Sequence, residues 1–447
     1  LGTSLTAANT FIQVLRSTDN SCTVANFVSM GCQNASTPLT VTGLTPGNRI
    51  FVRIYVVTNP TTGSTATWGF NICATSPMPL GRLNEVFADT IIGRNAAGFD
   101  SPWEITYEDR EDSLWFTENK TYRIQKMGKD GNSRVILDLS DGGGYNANYR
   151  RTFTSGQNPW PQGGLMGFAI HPDFLAPSNP KNFVYAAYVR DFVGPGPGNT
   201  VGTRNRTVTN TDNGGEAVKG DLFRTVIVRF TYNTTTKALE NPVALCDTIT
   251  GSGDHNSGRM IIAPMTQGGT DYFLFYSCGD MGAGQFYNAE RIYKSQMLNS
   301  YEGKILRFNL EEDGDAVQNI GVRNTNYNRW IPNDNPYNGT LGAQSAVWNI
   351  GHRNVQGLAY TNGKLFGSSH GPFSDDEVNY LQGNRNYGHP LIIGKQADNN
   401  YNNSKAAHNF TGWGNEHAGN PLISTLPLIS SESGTSLTNY TDPLFSF

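Results

Sequence analysis

Three apolar segments, Arg259-Met-Ile-Ile-Ala-Pro264, Tyr272-Phe-Leu-Phe-Tyr-Ser277 and Lys304-Ile-Leu-Arg-Phe308, follow one another with polar, glycine-bearing stretches between them. Each has the length of a strand rather than a helix, and each is rich in aromatic and β-branched residues. The same three kinds of segment recur along the chain. An apolar strand ending in Pro appears at Gly167-Phe-Ala-Ile-His-Pro172. The middle strand recurs as Leu114-Trp-Phe-Thr-Glu118, Phe183-Val-Tyr-Ala-Ala-Tyr188 and Lys364-Leu-Phe-Gly-Ser-Ser369. The basic strand recurs as Tyr122-Arg-Ile-Gln-Lys-Met127 and Val226-Ile-Val-Arg-Phe230. Repeated groups of short strands, with no helical periodicity between them, predict the blades of a β-propeller over residues 85–447. The polar, glycine-rich insertion from Gly194 to Gly220 is expected in loops at the rim.

Upstream, Ile50, Val52, Ile54 and Val56 alternate with Phe51, Arg53 and Tyr55, the period-two pattern of a strand with one buried face. Pro46-Gly47-Asn48 supplies a turn before it, and Trp68 to Cys73 reads as a further strand. Residues 1–80 are therefore expected to form a small β-sandwich, a spacer, a surface anchor or a carbohydrate-contacting module. Ser76-Pro-Met-Pro-Leu-Gly81 reads as the linker. Leu1 reads as entering a domain already under way.

At 447 residues the chain suits two or three domains. Only 16% of its residues are charged, the net charge is -4, and no run of Lys or Arg stands out, so nucleic acid and anionic membranes are poor partners. No apolar stretch approaches the roughly 18 residues of a membrane-spanning helix. Cys22 and Cys32 flank a short loop, a spacing that suits a disulfide and hence a secreted, extracellular or cell-surface location rather than the periplasm; Cys73 is left over or buried.

Three clusters carry chemistry. Gly253-Asp-His-Asn-Ser-Gly-Arg259 places His255 on a loop before a blade's first strand, where a base of near-neutral pKa could take a substrate proton. Gly279-Asp-Met-Gly-Ala-Gly-Gln285 ends the next strand, and Asp280 could hold that imidazole in one tautomer. The third cluster is Gly351-His-Arg-Asn-Val-Gln-Gly-Leu-Ala359 with His370-Gly-Pro-Phe-Ser-Asp-Asp-Glu377. Arg353 offers a planar fork for carboxylate or quinone oxygens, and the acidic triplet and Gly-Pro carbonyls offer hard donors for calcium. Taken singly, each has an ordinary alternative: an exposed His, an Asp-Gly turn, a solvated acidic loop.

Together and in this order, the clusters resemble the soluble sugar dehydrogenases that use pyrroloquinoline quinone (PQQ), the glucose/sorbosone dehydrogenase family. The resemblance spans about residues 85–400 and includes Gln162-Gly-Gly-Leu-Met-Gly-Phe-Ala-Ile-His-Pro-Asp-Phe174, Gly303 to Leu310, Asp334-Asn-Pro336 and Asn386-Tyr387-Gly388. It implies an all-β, six-bladed propeller and a PQQ- and Ca2+-dependent enzyme that oxidises an aldose at C1 to the lactone and passes electrons to an external acceptor. His255 matches the general base, Asp280 the residue orienting it, and Gln162 and Gln285 the sugar-binding positions. Arg353 and Asn354 match residues at the cofactor. The carbonyls of Gly371 and Pro372 match ligands of the calcium that fixes PQQ, and Glu377 and Tyr387 match a second calcium site. His370 departs from the Gln of the best-known glucose enzymes, and basic and aromatic residues with which the family's last blade grips PQQ have no counterpart.

The recognisable blocks account for about four blades before Tyr387, and at ~40–50 residues per blade residues 388–447 leave room for one more. The expectation is a propeller incomplete at its C-terminal end. Two other functions share the scaffold: a non-catalytic propeller binding protein or glycan, which retention of His255, Asp280 and Arg353 argues against, and a calcium-dependent lactonase, which would need side-chain carboxylates converging on the axis.

Overall fold

The computed structural model describes residues 10–17, 27–34, 50–56, 79–80, 85–86, 99–139, 162–191, 208–210, 216–218, 223–283, 288, 291, 293–316, 318–320, 323–339, 344–372, 375–398 and 432–447. The chain divides into two compact units, Leu1–Ile91 and Ile92–Phe447.

In the first unit the strand Thr10–Ser17 lies between Phe27–Asn34 and Ile50–Val56, antiparallel to both. The alternating Ile50–Val56 segment is thus a strand, as its period required. This three-stranded sheet is one layer; residues 68–73, Cys22 and Cys73 lie outside the described residues, and with them the expected further strand, facing layer and disulfide. Pro79–Leu80 pairs with Glu85–Val86 where the sequence reads as a linker.

Among the described residues the second unit contains four four-stranded antiparallel sheets, each with its strands in chain order from one edge to the other. The first joins Pro102–Glu108, Ser113–Glu118, Arg123–Met127 and Ser133–Asp138. The second joins Leu165–Ile170, Phe183–Asp191, Phe223–Asn233 and Ala238–Gly251. The third joins Ser257–Pro264, Tyr272–Cys278, Lys304–Asn309 and Val347–Ile350. The fourth joins Asn354–Thr361, Lys364–His370, Glu377–Leu381 and Phe445–Ser446. Every middle segment read from the sequence occupies the second strand of its sheet, and every basic segment the third. The first strands of successive sheets contact one another in chain order. This is a β-propeller-like arrangement of blades. Close approach at the axis explains Gly167: a methyl there would fall inside van der Waals reach of the Gly258 carbonyl of the next blade.

Middle blades have neighbours on both faces, which is why their strands read as continuous apolar runs instead of alternating. Val184 through Val189 are all buried, and Leu274 through Cys278 likewise. Between the first two blades Trp115 is fully buried against Phe168, Phe174 and Tyr232, with Lys126 above its ring. The first strand of the first blade does alternate, with Ile105 61% and Tyr107 58% exposed, so one of its faces is uncovered among the described residues.

No fifth or sixth blade appears among the described residues. Of the stretch after Tyr387, Phe445–Ser446 is the outer strand of the fourth sheet, and residues 399–431 lie outside the described residues. The Gly194–Gly220 insertion contains a short hairpin, Val208–Asn210 with Glu216–Val218.

Candidate active site

The loop before each blade's first strand and the loop after its second strand emerge at the same end of the sheet, because the two strands are antiparallel. That rule brings the three clusters together. His255 precedes the first strand of the third blade and Asp280 follows its second strand; Arg353 precedes the first strand of the fourth blade, and Gly371 follows its second.

The His255 loop is tied internally: Asn256 accepts from the Ser252 N–H at 2.9 Å and donates to the Ser252 carbonyl at 2.8 Å. His255 and Ser257 both have positive φ, 47° and 55°, a strained backbone for non-glycine residues and one that persists only where surrounding bonds enforce it. The Met281 N–H donates to the His255 carbonyl at 3.3 Å, and the Asp280 N–H to the Arg353 carbonyl at 2.8 Å, so the third cluster is bonded through main chain to the second. Gly279 lies where the loops touch, and a methyl on it would collide with the His255 carbonyl. Gly279→Ala is therefore expected to destabilise the protein by ~1–3 kcal/mol or more, the usual cost of overpacking against main chain; an unchanged denaturation midpoint would refute this close packing.

His255 Nδ1 lies 2.8 Å from Asp280 Oδ1, both side chains being buried. Burial alone would raise the Asp280 carboxyl, but the facing imidazoles of His255 and His389 outweigh it and hold it well below the usual carboxylate range. An ionised Asp280 accepts the proton of Nδ1, so the nitrogen that His255 can offer as an acceptor is Nε2. Nε2 has Asp254 Oδ1 at 3.8 Å, beyond hydrogen-bond reach. The arrangement is a base held in one tautomer by a buried carboxylate.

Arg353 is buried and donates through Nη1 to the carbonyls of His370 and Gly371, at 3.2 and 2.8 Å. Burial lowers the affinity of its guanidinium for protons, and no carboxylate lies within 4.0 Å of it among the described residues. A buried cation with only carbonyl partners is a site for an anion or for developing negative charge. The Gly371 N–H in turn donates to Asp376 Oδ1 at 2.8 Å, fixing the peptide.

Gln162 joins the two halves. Its carbonyl accepts from Asn256 Nδ2 at 2.8 Å and its Oε1 from Asn354 Nδ2 at 3.0 Å. The Asn354 Oδ1 accepts from Ser257 N–H at 3.1 Å. Gln162, His255, Asp280, Arg353, Asn354 and Gly371 thus form one hydrogen-bonded constellation. Gln285 lies outside the described residues. Pro372 is buried beside Gly371. Glu377 accepts from Asn379 Nδ2 at 2.9 Å and Gly394 N–H at 3.0 Å, neutral donors both. The Tyr387 hydroxyl is occupied elsewhere, donating to the Tyr380 carbonyl at 2.6 Å and accepting from Gln382 N–H, so any ion shared with Glu377 would be reached through the Tyr387 main chain. Among the described residues no group of three or more His, Cys, Asp or Glu side chains could hold a metal ion.

One residue escaped the sequence reading. His389, directly after the Asn386-Tyr387-Gly388 block, lies with Nε2 3.0 Å from Asp280 Oδ2.

Against family models, residues 99–423 match Glucose / Sorbosone dehydrogenase, and the chain belongs to that family. The chain is 32% identical over 305 residues, 65% of this chain, to quinoprotein glucose dehydrogenase B of Acinetobacter calcoaceticus, of which it covers 50%. It is 40% identical over 142 residues to aldose sugar dehydrogenase YliI of Escherichia coli K12, covering 31% of this chain and 30% of that protein. The chain spans half or less of the length of the curated relatives it matches. Among solved structures, the PQQ-bound aldose sugar dehydrogenase of Streptomyces coelicolor aligns with a TM-score of 0.45 at 20% identity, over 78% of this chain and 69% of that one.

Proposed function

We propose that this chain carries the catalytic centre of a PQQ- and calcium-dependent dehydrogenase that oxidises an aldose at C1 to its lactone and hands the electrons to an external acceptor. The observation that carries the reading is a pair, His255–Asp280, bonded through main chain to a buried Arg353 that has no carboxylate within 4.0 Å among the described residues, in a chain of this family.

The donor set fits the cofactor. A quinone bearing carboxylates and carbonyls would find in Arg353 a buried, pre-placed fork, with Asn354 beside it. The Gly371 and Pro372 carbonyls, hard oxygen donors on a peptide fixed by Asp376, would hold the calcium, and Glu377 with the Tyr387 main chain would hold a second. When bound, PQQ supplies the two-electron acceptor and calcium the Lewis acid beside it. The protein does the rest. His255 Nε2 would take the proton of the C1 hydroxyl, Asp280 would stabilise the imidazolium that results, and the Arg353 guanidinium would supply positive charge to a bound quinone. Gln162, with its Oε1 already engaged by Asn354, has its amide N–H groups to offer a sugar hydroxyl, and Gln285 would serve the same substrate. The proposal includes a secreted, extracellular or cell-surface location, in keeping with the Cys22–Cys32 spacing and with residues 1–80 as a spacer or anchor.

The test is reconstitution of the whole chain with PQQ and Ca2+, followed by dye reduction across a panel of aldoses. Quinone-dependent reduction with at least one aldose is expected. Chelation by EDTA is expected to release PQQ and lower the melting temperature, since a ligand held by the folded state alone stabilises it by mass action. No turnover with any aldose would overturn the reading, and an unchanged melting curve under EDTA would overturn both calcium sites.

A further inference from the structure

Asp280 is not a simple partner of His255. Its Oδ1 takes His255 Nδ1 at 2.8 Å and the Gly282 N–H at 3.0 Å; its Oδ2 takes His389 Nε2 at 3.0 Å, and the carboxylate is fully buried. We infer that His389 is a positioning residue for the catalytic base: it fixes the plane of the Asp280 carboxylate and so the tautomer and aim of His255. The inference rests on the reading of His255 as the base.

The placement of His389 argues for a built device. Its segment runs parallel to the outer strand of the third blade, through the Ile350–Asn386 bridge, which carries it to the same end of the sheets as His255 and Arg353. Its N–H donates to the Gly351 carbonyl at 3.0 Å, and Gln296 Nε2 donates to its own carbonyl at 2.8 Å. Its ring packs edge-on against Tyr293, with centroids 5.8 Å apart. Main chain and ring are thus both held, and the side chain's assigned polar partner among the described residues is Asp280, met by Nε2.

The chemistry agrees. A ring nitrogen 3.0 Å from an ionised carboxylate oxygen must carry a proton, so His389 donates through Nε2. A donor there leaves the full negative charge on Asp280 while occupying the oxygen that His255 does not use. Without it, Oδ2 is a buried carboxylate oxygen lacking its assigned donor, and the group can turn or draw in water.

Two variants separate the donor from the shape. His389→Phe keeps a ring and removes the donor; His389→Gln restores an N–H donor. In reconstituted enzyme His389→Phe should lower kcat ~10–100-fold with the KM for sugar little changed, the scale on which displacement of a reacting group is felt, and His389→Gln should recover most of the loss. A readout free of cofactor and turnover is 15N NMR of the seven histidines in the unloaded protein. It should find His389 protonated at Nε2 and His255 at Nδ1 in the parent chain, and a reduced Nδ1–H population at His255 in His389→Phe. If the parent chain turns over no sugar while the tautomers are as stated, the proposed function fails and the role of His389 toward His255 stands. A parent His389 protonated at Nδ1, or a His255 tautomer and kcat unmoved in His389→Phe, would overturn the inference itself.

Discussion

His255→Ala should reduce sugar oxidation by ~10²–10⁴-fold, the usual cost of removing a positioned base, while PQQ remains bound. The two outcomes separate because the groups are different. The proposed proton acceptor is His255 Nε2, whereas the cofactor would be held by Arg353, Asn354 and the carbonyls that follow the second strand of the fourth blade. The loop that carries His255 keeps its internal clamp in the variant, since Asn256 and Ser252 supply it. Quinone absorbance titrated into the variant checks retention of the cofactor, and dye reduction checks the rate. Turnover near that of the parent chain would remove His255 from the mechanism.

Asp280→Asn should cost about as much, up to ~10⁴-fold by analogy with the third member of a hydrolytic triad. An amide is nearly isosteric with the carboxylate, so the loops should keep their places, yet its NH2 end would face either Nδ1 of His255 or Nε2 of His389. Either choice inverts a donor–acceptor pair in a fully buried position. The ordinary tautomer of His255 is then no longer enforced. A pH–rate profile and a thermal melt check this together: a large fall in kcat with a modest change in melting temperature is expected. If the rate survives, Asp280 is a loop tether and nothing more.

Much of this architecture is legible in the sequence, because a blade sandwiched between neighbours must present apolar runs, and those runs repeat. The Phe183, Tyr272 and Lys364 segments all prove to be second strands for that reason. His255, Asp280, Arg353 and Gln162 were legible because each stands beside a strand end in a distinctive local setting. What the sequence hides is pairing at a distance. His389 meets Asp280 across 109 positions, and no local pattern announces it; the available signal was its place next to the Asn386-Tyr387-Gly388 block. The outer strands are hidden likewise. Ala238–Gly251 carries polar residues and Pro242, and Phe445–Ser446 is too short to show any period. The room after Tyr387 could therefore be read as a further blade when its end serves the fourth.

That late outer strand bears on how the protein is made. Leu381 ends the third strand of the fourth blade, and its partner strand begins only at Phe445. Closing so long a loop costs chain entropy before any pairing returns it, and such non-local contacts form slowly. The strand does more than finish a sheet. Phe447 exchanges main-chain bonds with Asp375 and Asp376, Leu444 bonds to Val378, and Ser446 donates to Asp375 Oδ1 at 2.6 Å. The acidic segment beside Gly371 therefore takes its shape from residues 71 positions further along the chain. Assembly has an order built into it: blades one to three pair strands that are nearer in sequence, whereas the segment that carries Asp375 and Asp376 takes its shape only after residues 445–447 have docked.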